Sequence, residues 1–183
     1  MDNARPTTLL AVLTNPPLTD GRRTLNRVTL AARLLGFDRV VVANLFALPS
    51  HATGAITELG VSPHGWVTAR SSLTDHLGSS DGVLLAFGVT APSGPARDHF
   101  RSQVRWLIER TVSLGLPTWQ VGDGPRHPSR WQRWTSRTHP DLGFPEALRT
   151  SVVRVDTTAH QLEAAGAEMI KADAEQYVVR KGS

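Results

Sequence analysis

Between Gly124 and Trp134 the chain reads Gly-Pro-Arg-His-Pro-Ser-Arg-Trp-Gln-Arg-Trp, which sets a titratable imidazole, three guanidiniums and two indoles on a turn-forming backbone. His127 is the side chain here that can change charge near neutral pH. Arg126, Arg130 and Arg133, interleaved with Trp131, suit a phosphate-rich or base-stacking partner. Gly124, Pro125 and Pro128 interrupt helices and central strands, so the stretch is expected to be a loop, and the apolar run from 116 to 121 reads as the buried strand that delivers it. Loops leaving strand ends are where α/β proteins place their chemistry. The same residues also fit a proline-rich surface turn with solvated His and Arg side chains.

The chain that must position this stretch has 183 residues, 40% of them hydrophobic, which is one ordinary domain with a sizeable core. Its formal net charge is +4, and Lys171 and Lys181 are the only lysines. Much of the excess lies between Arg126 and Arg137, where there is no acidic residue, and local density of this kind steers anions better than net charge does. The absence of cysteine excludes disulfides, zinc-thiolate sites and iron-sulfur clusters. No apolar run approaches the ~18 residues of a membrane span, and the first residues lack the apolar core of a secretion signal, so a cytoplasmic protein with no membrane partner is expected. The histidines at 51, 64, 76, 99 and 139 are dispersed, with no metal-ligand spacing to carboxylates. We therefore expect no metal and no cofactor.

Four buried strands are expected. The run 7–13 stops at Asn15-Pro16-Pro17, and a helical period from Thr24 to Leu35 follows, ended by Gly36. Arg39 to Ala43 forms a second strand ending at Asn44-Leu45-Phe46, Gly82 to Gly88 a third, and 116–121 a fourth. Between them stand a long loop over Leu48 to Gly65 with one helical turn at Ala55 to Leu59, a short helix over Trp66 to Leu77, and a long helix over Pro95 to Leu114. The expectation is a single domain, a three-layer α/β/α sandwich on a four-stranded parallel central sheet. Its core spans about 7–150, and 151–183 form an appended strand and a helix over His160 to Ala174. Strand one delivers Asn15 and Pro16, strand two Asn44, strand three Phe87 and Gly88, and strand four Arg126 to Ser129, so one pocket can collect them.

These motifs carry a resemblance in two layers. Asn15, Pro16, Asp20, Thr24, Arg27, Asn44 to Ala47, Gly88 and Arg126 to Pro128 resemble a bacterial and phage family of unknown function, domain-of-unknown-function family 1643. Pro17, Arg22-Arg23 and Phe87 depart from its pattern. More distantly, Leu13-Thr14-Asn15-Pro16, Val42-Ala43-Asn44 and His127-Pro128-Ser129 resemble, in order, the motifs of the uracil-DNA glycosylase superfamily. Leu13 stands where that motif has glycine.

The resemblance implies a uracil-DNA glycosylase-like fold and hydrolysis of an N-glycosidic bond, in which positive charge builds on the sugar and negative charge on the departing base. In those roles Asn15 holds a water through its carbonyl oxygen, and Asp20 is base or electrostatic partner of the developing cation. His127 donates to the departing base, and Asn44 pairs with the base edge. Pro16, Phe46, Gly88 and Ser129 would line the base site. Arg126, Arg130 and Arg133 would hold nucleic-acid phosphates. Trp131 takes the place of an apolar side chain that fills the gap left by a flipped base. Each residue also has a plainer use: Asn15 in a proline-locked turn, Asp20 and Thr24 capping the first helix, Asn44 tying strand ends, and Trp131 with Trp134 packing on one helical face.

Three functions follow. One is a glycosylase removing a modified or mismatched base from DNA, in repair or anti-phage defence. The second is an N-glycosidase of free nucleosides or nucleotides, and the third a non-catalytic nucleic-acid-binding module of the same fold. A Ser-His-Asp hydrolase is disfavoured, because no Gly-x-Ser-x-Gly elbow occurs.

Overall fold

The computed structural model describes residues 5–50 and 55–156. β1 (Thr8–Leu13), β2 (Arg39–Asn44), β3 (Gly82–Leu85) and β4 (Thr118–Val121) are parallel, and β5 (Val152–Val155) runs antiparallel to β4. The order is β2-β1-β3-β4-β5. The sheet is therefore five-stranded and mixed, not the four-stranded parallel sheet expected. The segment expected in an appended tail pairs along β4, with Trp119 opposite Arg154, and covers hydrogen-bonding groups that an edge strand would expose. The helix expected over His160 to Ala174 lies outside the described residues.

β1 lies inside the sheet between β2 and β3, and its alternation decides what lies on each side. Leu10 and Val12 join one apolar cluster, whereas Leu9, Ala11 and Leu13 join the other. The first cluster is completed by α3 (His64–Ser79) and α4 (Pro95–Ser113), through Trp66, Leu73, Phe100 and Leu107. The second is completed by α1 (Arg22–Leu34), α5 (Pro128–Thr138) and α6 (Phe144–Ser151), through Val28, Ala31, Trp131 and Leu148. A single turn, α2 (Ile56–Leu59), adds Ile56 to the first cluster. Helices thus cover both faces, an arrangement compatible with three layers. None of the helices among the described residues is long and apolar enough to cross a membrane.

The chain moves from β1 to β2 under α1 on one face, then back across β1 to β3 and on to β4 under α3 and α4 on the other. Reversing both direction and face keeps one hand for all three crossovers. It also opens the sheet at the carboxyl ends of β1 and β3, where neighbouring connections diverge.

Two corrections concern the stretch after β4. Pro128 does not keep it a loop, because it sits in the first turn of α5, where its missing N–H has no helical partner to lose and its fixed φ suits the helix. Trp131, expected as a wedge toward nucleic acid, is completely buried in the second cluster, and its Nε1 donates to the Arg126 carbonyl at 2.7 Å. An indole with its N–H satisfied and no exposed surface is a core anchor. Trp131→Ala is accordingly expected to lower the unfolding free energy by roughly 3 kcal/mol or more, read by urea denaturation. A loss below about 1 kcal/mol would return this side chain to the surface.

Candidate functional site

The carboxyl ends of β1, β3 and β4 converge on an open cavity of about 1140 Å³. Backbone bonds hold its floor together: Ala86 N donates to Val12 O at 2.9 Å, and Gly88 N donates to Pro125 O. The Thr14 hydroxyl, buried, donates to the Phe87 carbonyl. Gly88 makes the turn out of β3 with φ 94°, a conformation that favours glycine, and its Cα faces the His127 side chain.

His127 is the best-defined group in the cavity. It is the N-cap of α5, and its Nδ1 accepts from the Ser129 N–H at 3.2 Å, with the Ser129 hydroxyl 2.9 Å away. Burial first, then the charges of Arg130 and Arg27, hold the imidazole below its ordinary pKa of 6.5. The ring is therefore neutral at pH 7. Because a main-chain N–H can only donate, Nδ1 is the acceptor and the ring proton resides on Nε2. That leaves a fixed N–H donor on a ring that lines the cavity.

Asn15, the first residue past the β1 loop's Thr14, also lines the cavity. Its Nδ2 donates to the Pro16 carbonyl at 3.0 Å, the Ser50 hydroxyl at 3.0 Å and the Ser50 carbonyl at 3.3 Å. The amide nitrogen is thus spent on the loop, and Oδ1 accepts no hydrogen bond among the described residues. Asp20 lines the outer part, where its carboxylate accepts from Arg22 N at 3.2 Å and pairs with the Arg22 guanidinium at 3.5 Å. It lies at the entry to α1, whose N-cap is Gly21, and remains largely exposed.

Of the other expected residues, Gly88, Ser129, Arg126, Arg130 and Arg133 line the cavity. Pro16, Asn44, Phe46 and Trp131 do not. Phe46 is fully buried against Trp66, with ring centroids 4.7 Å apart, because Gln103 draws the chain after β2 down onto α4 by donating to the carbonyls of Leu45 and Trp66. Asn44 ends β2 at the same sheet edge as His127, but its Oδ1 is buried and has no partner among the described residues. It is not among the residues that line the cavity.

Sequence reasoning missed Arg137 and Trp134. Both line the cavity, and continuing the helical period from Pro128 would have found them. Trp134 packs over Gly122, whose φ is 72°, and its ring carries the Arg126 guanidinium at 5.2 Å. Arg126 also reaches Asp123 at 2.5 Å, while its Nε is buried and unpartnered among the described residues. No group of three or more His, Asp or Glu among the described residues is placed to hold a metal ion. Neither family models, curated proteins nor solved structures yield a match to this chain, so the likenesses drawn from its motifs rest on those motifs alone.

His127→Asn separates the cap from the donor, since Asn caps helices well but offers no Nε2–H. It should keep near-parental stability, whereas His127→Ala should lose about 1 kcal/mol with the cap. The pH dependence has a definite sign: with the folded pKa depressed, the unfolded imidazole takes up a proton that the folded one resists as pH falls below 6.5. Stability should drop over that range in the parent and less steeply in His127→Asn, as followed by urea titrations at several pH values; parallel profiles would contradict the assignment.

Proposed function

We propose that this chain hydrolyses the N-glycosidic bond of a nucleotide base, in an α/β/α fold organised like the uracil-DNA glycosylase superfamily. The observation that carries the reading is that His127 lines the cavity at the sheet's divergence point while its Nδ1 accepts from the Ser129 N–H, which leaves Nε2 as the donor nitrogen of the neutral ring. In the reaction the bond between the sugar C1′ and the base nitrogen breaks, and its electron pair leaves with the base. The His127 Nε2–H donates a hydrogen bond to the oxygen or nitrogen where that charge collects. A neutral donor suits this task, because it stabilises developing charge without requiring protonation at low pH.

Water then adds to C1′ and releases a proton. Asn15 Oδ1 orients that water as an acceptor, and Asp20, a carboxylate of the described cavity lining, receives the proton or offsets the cationic sugar. Ser129 serves by fixing the imidazole. Phe87 and Gly88 supply the wall at the end of β3. Removal of a modified or mismatched base from DNA is the form of this activity that repair and defence against modified phage genomes both require, and the arginine-rich side of the cavity supports DNA over a free nucleoside as substrate.

Incubating the protein with oligonucleotides that carry varied modified bases, followed by mass spectrometry of the released base, tests the reading. Asn15→Ala and His127→Asn should each lower release by roughly 10²-fold or more without loss of fold. Equal release by both variants would remove their assigned roles. Nucleic-acid binding with no base released from any substrate would mark a binding module instead.

A further inference from the structure

We infer that α5 carries the phosphate backbone of a single nucleic-acid strand along the mouth of the cavity, on Arg130, Arg133 and Arg137. The inference rests on the cavity being a nucleotide-base site and names the form in which the nucleotide arrives. The three residues stand three and four apart, so they share one face of the helix, and all three line the cavity. All three are exposed, and none forms an ion pair with a carboxylate among the described residues. The one carboxylate among the described lining residues, Asp20, is paired with Arg22. Guanidiniums aligned without counter-charge favour an anion between them, and planar donor forks match phosphate oxygens.

The length of the row favours a chain of phosphates over one. At 1.5 Å per residue, Arg130 and Arg137 lie about 10 Å apart along the helix axis. A stacked strand repeats a phosphate every ~3.4 Å along its axis, so the row spans about three of them. A lone monophosphate would leave most of it unused. Arg126 differs, because Trp134 and Asp123 hold it in place at the inner end of the row, beside His127.

The two indoles on α5 weigh toward a single strand over a duplex. Extracting a stacked, paired base costs a few kcal/mol, which an inserted aromatic side chain can help offset. Trp131 has no exposed surface, and the Trp134 ring lies between Gly122 and the Arg126 guanidinium. Neither indole is available to insert. A base already unstacked in a single strand meets no such cost.

Fluorescence anisotropy with labelled oligothymidylate, alone and annealed to its complement, tests the track. Thymidine monophosphate and tripolyphosphate serve as competitors. The single strand should bind about tenfold or more tightly than the duplex, and neither competitor should displace it at equal phosphate concentration. Arg133→Ala and Arg137→Ala should each weaken binding about threefold to tenfold and make the slope of log affinity against log salt shallower by about 0.7. Arg105→Ala, exposed on α4 across the sheet, should change neither. Equal affinity for duplex, insensitivity to the α5 variants, or efficient displacement by the monophosphate would overturn the track. Base release measured on the same samples keeps the two ideas apart. Release that ignores the α5 arginines sinks the track and spares the glycosidic reading; arginine-dependent binding without release does the reverse.

Discussion

The seating of α5 is the constraint on which the rest of the site depends. Trp131 drives its inner face into the core, and Arg27 of α1 clamps its start from outside, with Nη1 donating to the Pro128 carbonyl at 2.7 Å and Nη2 to Gln132 Oε1 at 2.9 Å. A buried indole fixes rotation about the helix axis, and a two-point guanidinium clamp fixes position along it. With both fixed, His127 must cap the helix at the end of β3, and the arginines must lie along the cavity. The same helix thus places the capping imidazole and a row of exposed arginines along one cavity.

This arrangement accounts for how much of the molecule could be read from its sequence. The strands were legible because β1 and β3 are buried on both faces and carry unbroken apolar runs. α1 and α4 were legible to within a few residues, α1 from its amphipathic period and its glycine stop, and α4 from its period together with a proline at its start. α5 is legible only in part, because Pro128 reads as a breaker when its position in the first turn makes it a starter, and of the two uses open to Trp131 the packing one on a helical face is the one the core adopts. Taking Pro128 as the first helical residue puts Trp131 and Thr135, four apart, on the buried side and Arg130, Arg133 and Arg137 on the other.

The candidate site was legible by half for a related reason. Asn15, Gly88 and His127, two, three and six residues past β1, β3 and β4, follow from topology, since parallel strands deliver their loops to one edge. Phe46 lies two residues past β2, and a tertiary contact took it elsewhere: Gln103, buried in α4, holds the Leu45 and Trp66 carbonyls and turns the ring into the core. No local pattern announces a buried glutamine from another helix. β5 is legible as a strand, but its place in the central sheet is not, because its pairing with β4 is a long-range contact made only after α5 and α6 have returned the chain.

The electrostatics tie the arginine row to the histidine. Arg130 and Arg27 contribute to keeping the imidazole neutral, but burial is the larger cause. A phosphate seated at Arg130 would cancel part of the cationic field and move the His127 pKa back toward its ordinary value, while a base filling the cavity would exclude water and deepen the desolvation. The two effects oppose each other. The Ser129 N–H adds a third term with one sign throughout, because a main-chain donor aimed at Nδ1 stabilises only a ring nitrogen with a free lone pair. The donor state of Nε2 is therefore favoured by a hydrogen bond made within the turn itself. Arginines close enough to hold a phosphate can work beside a neutral histidine for that reason.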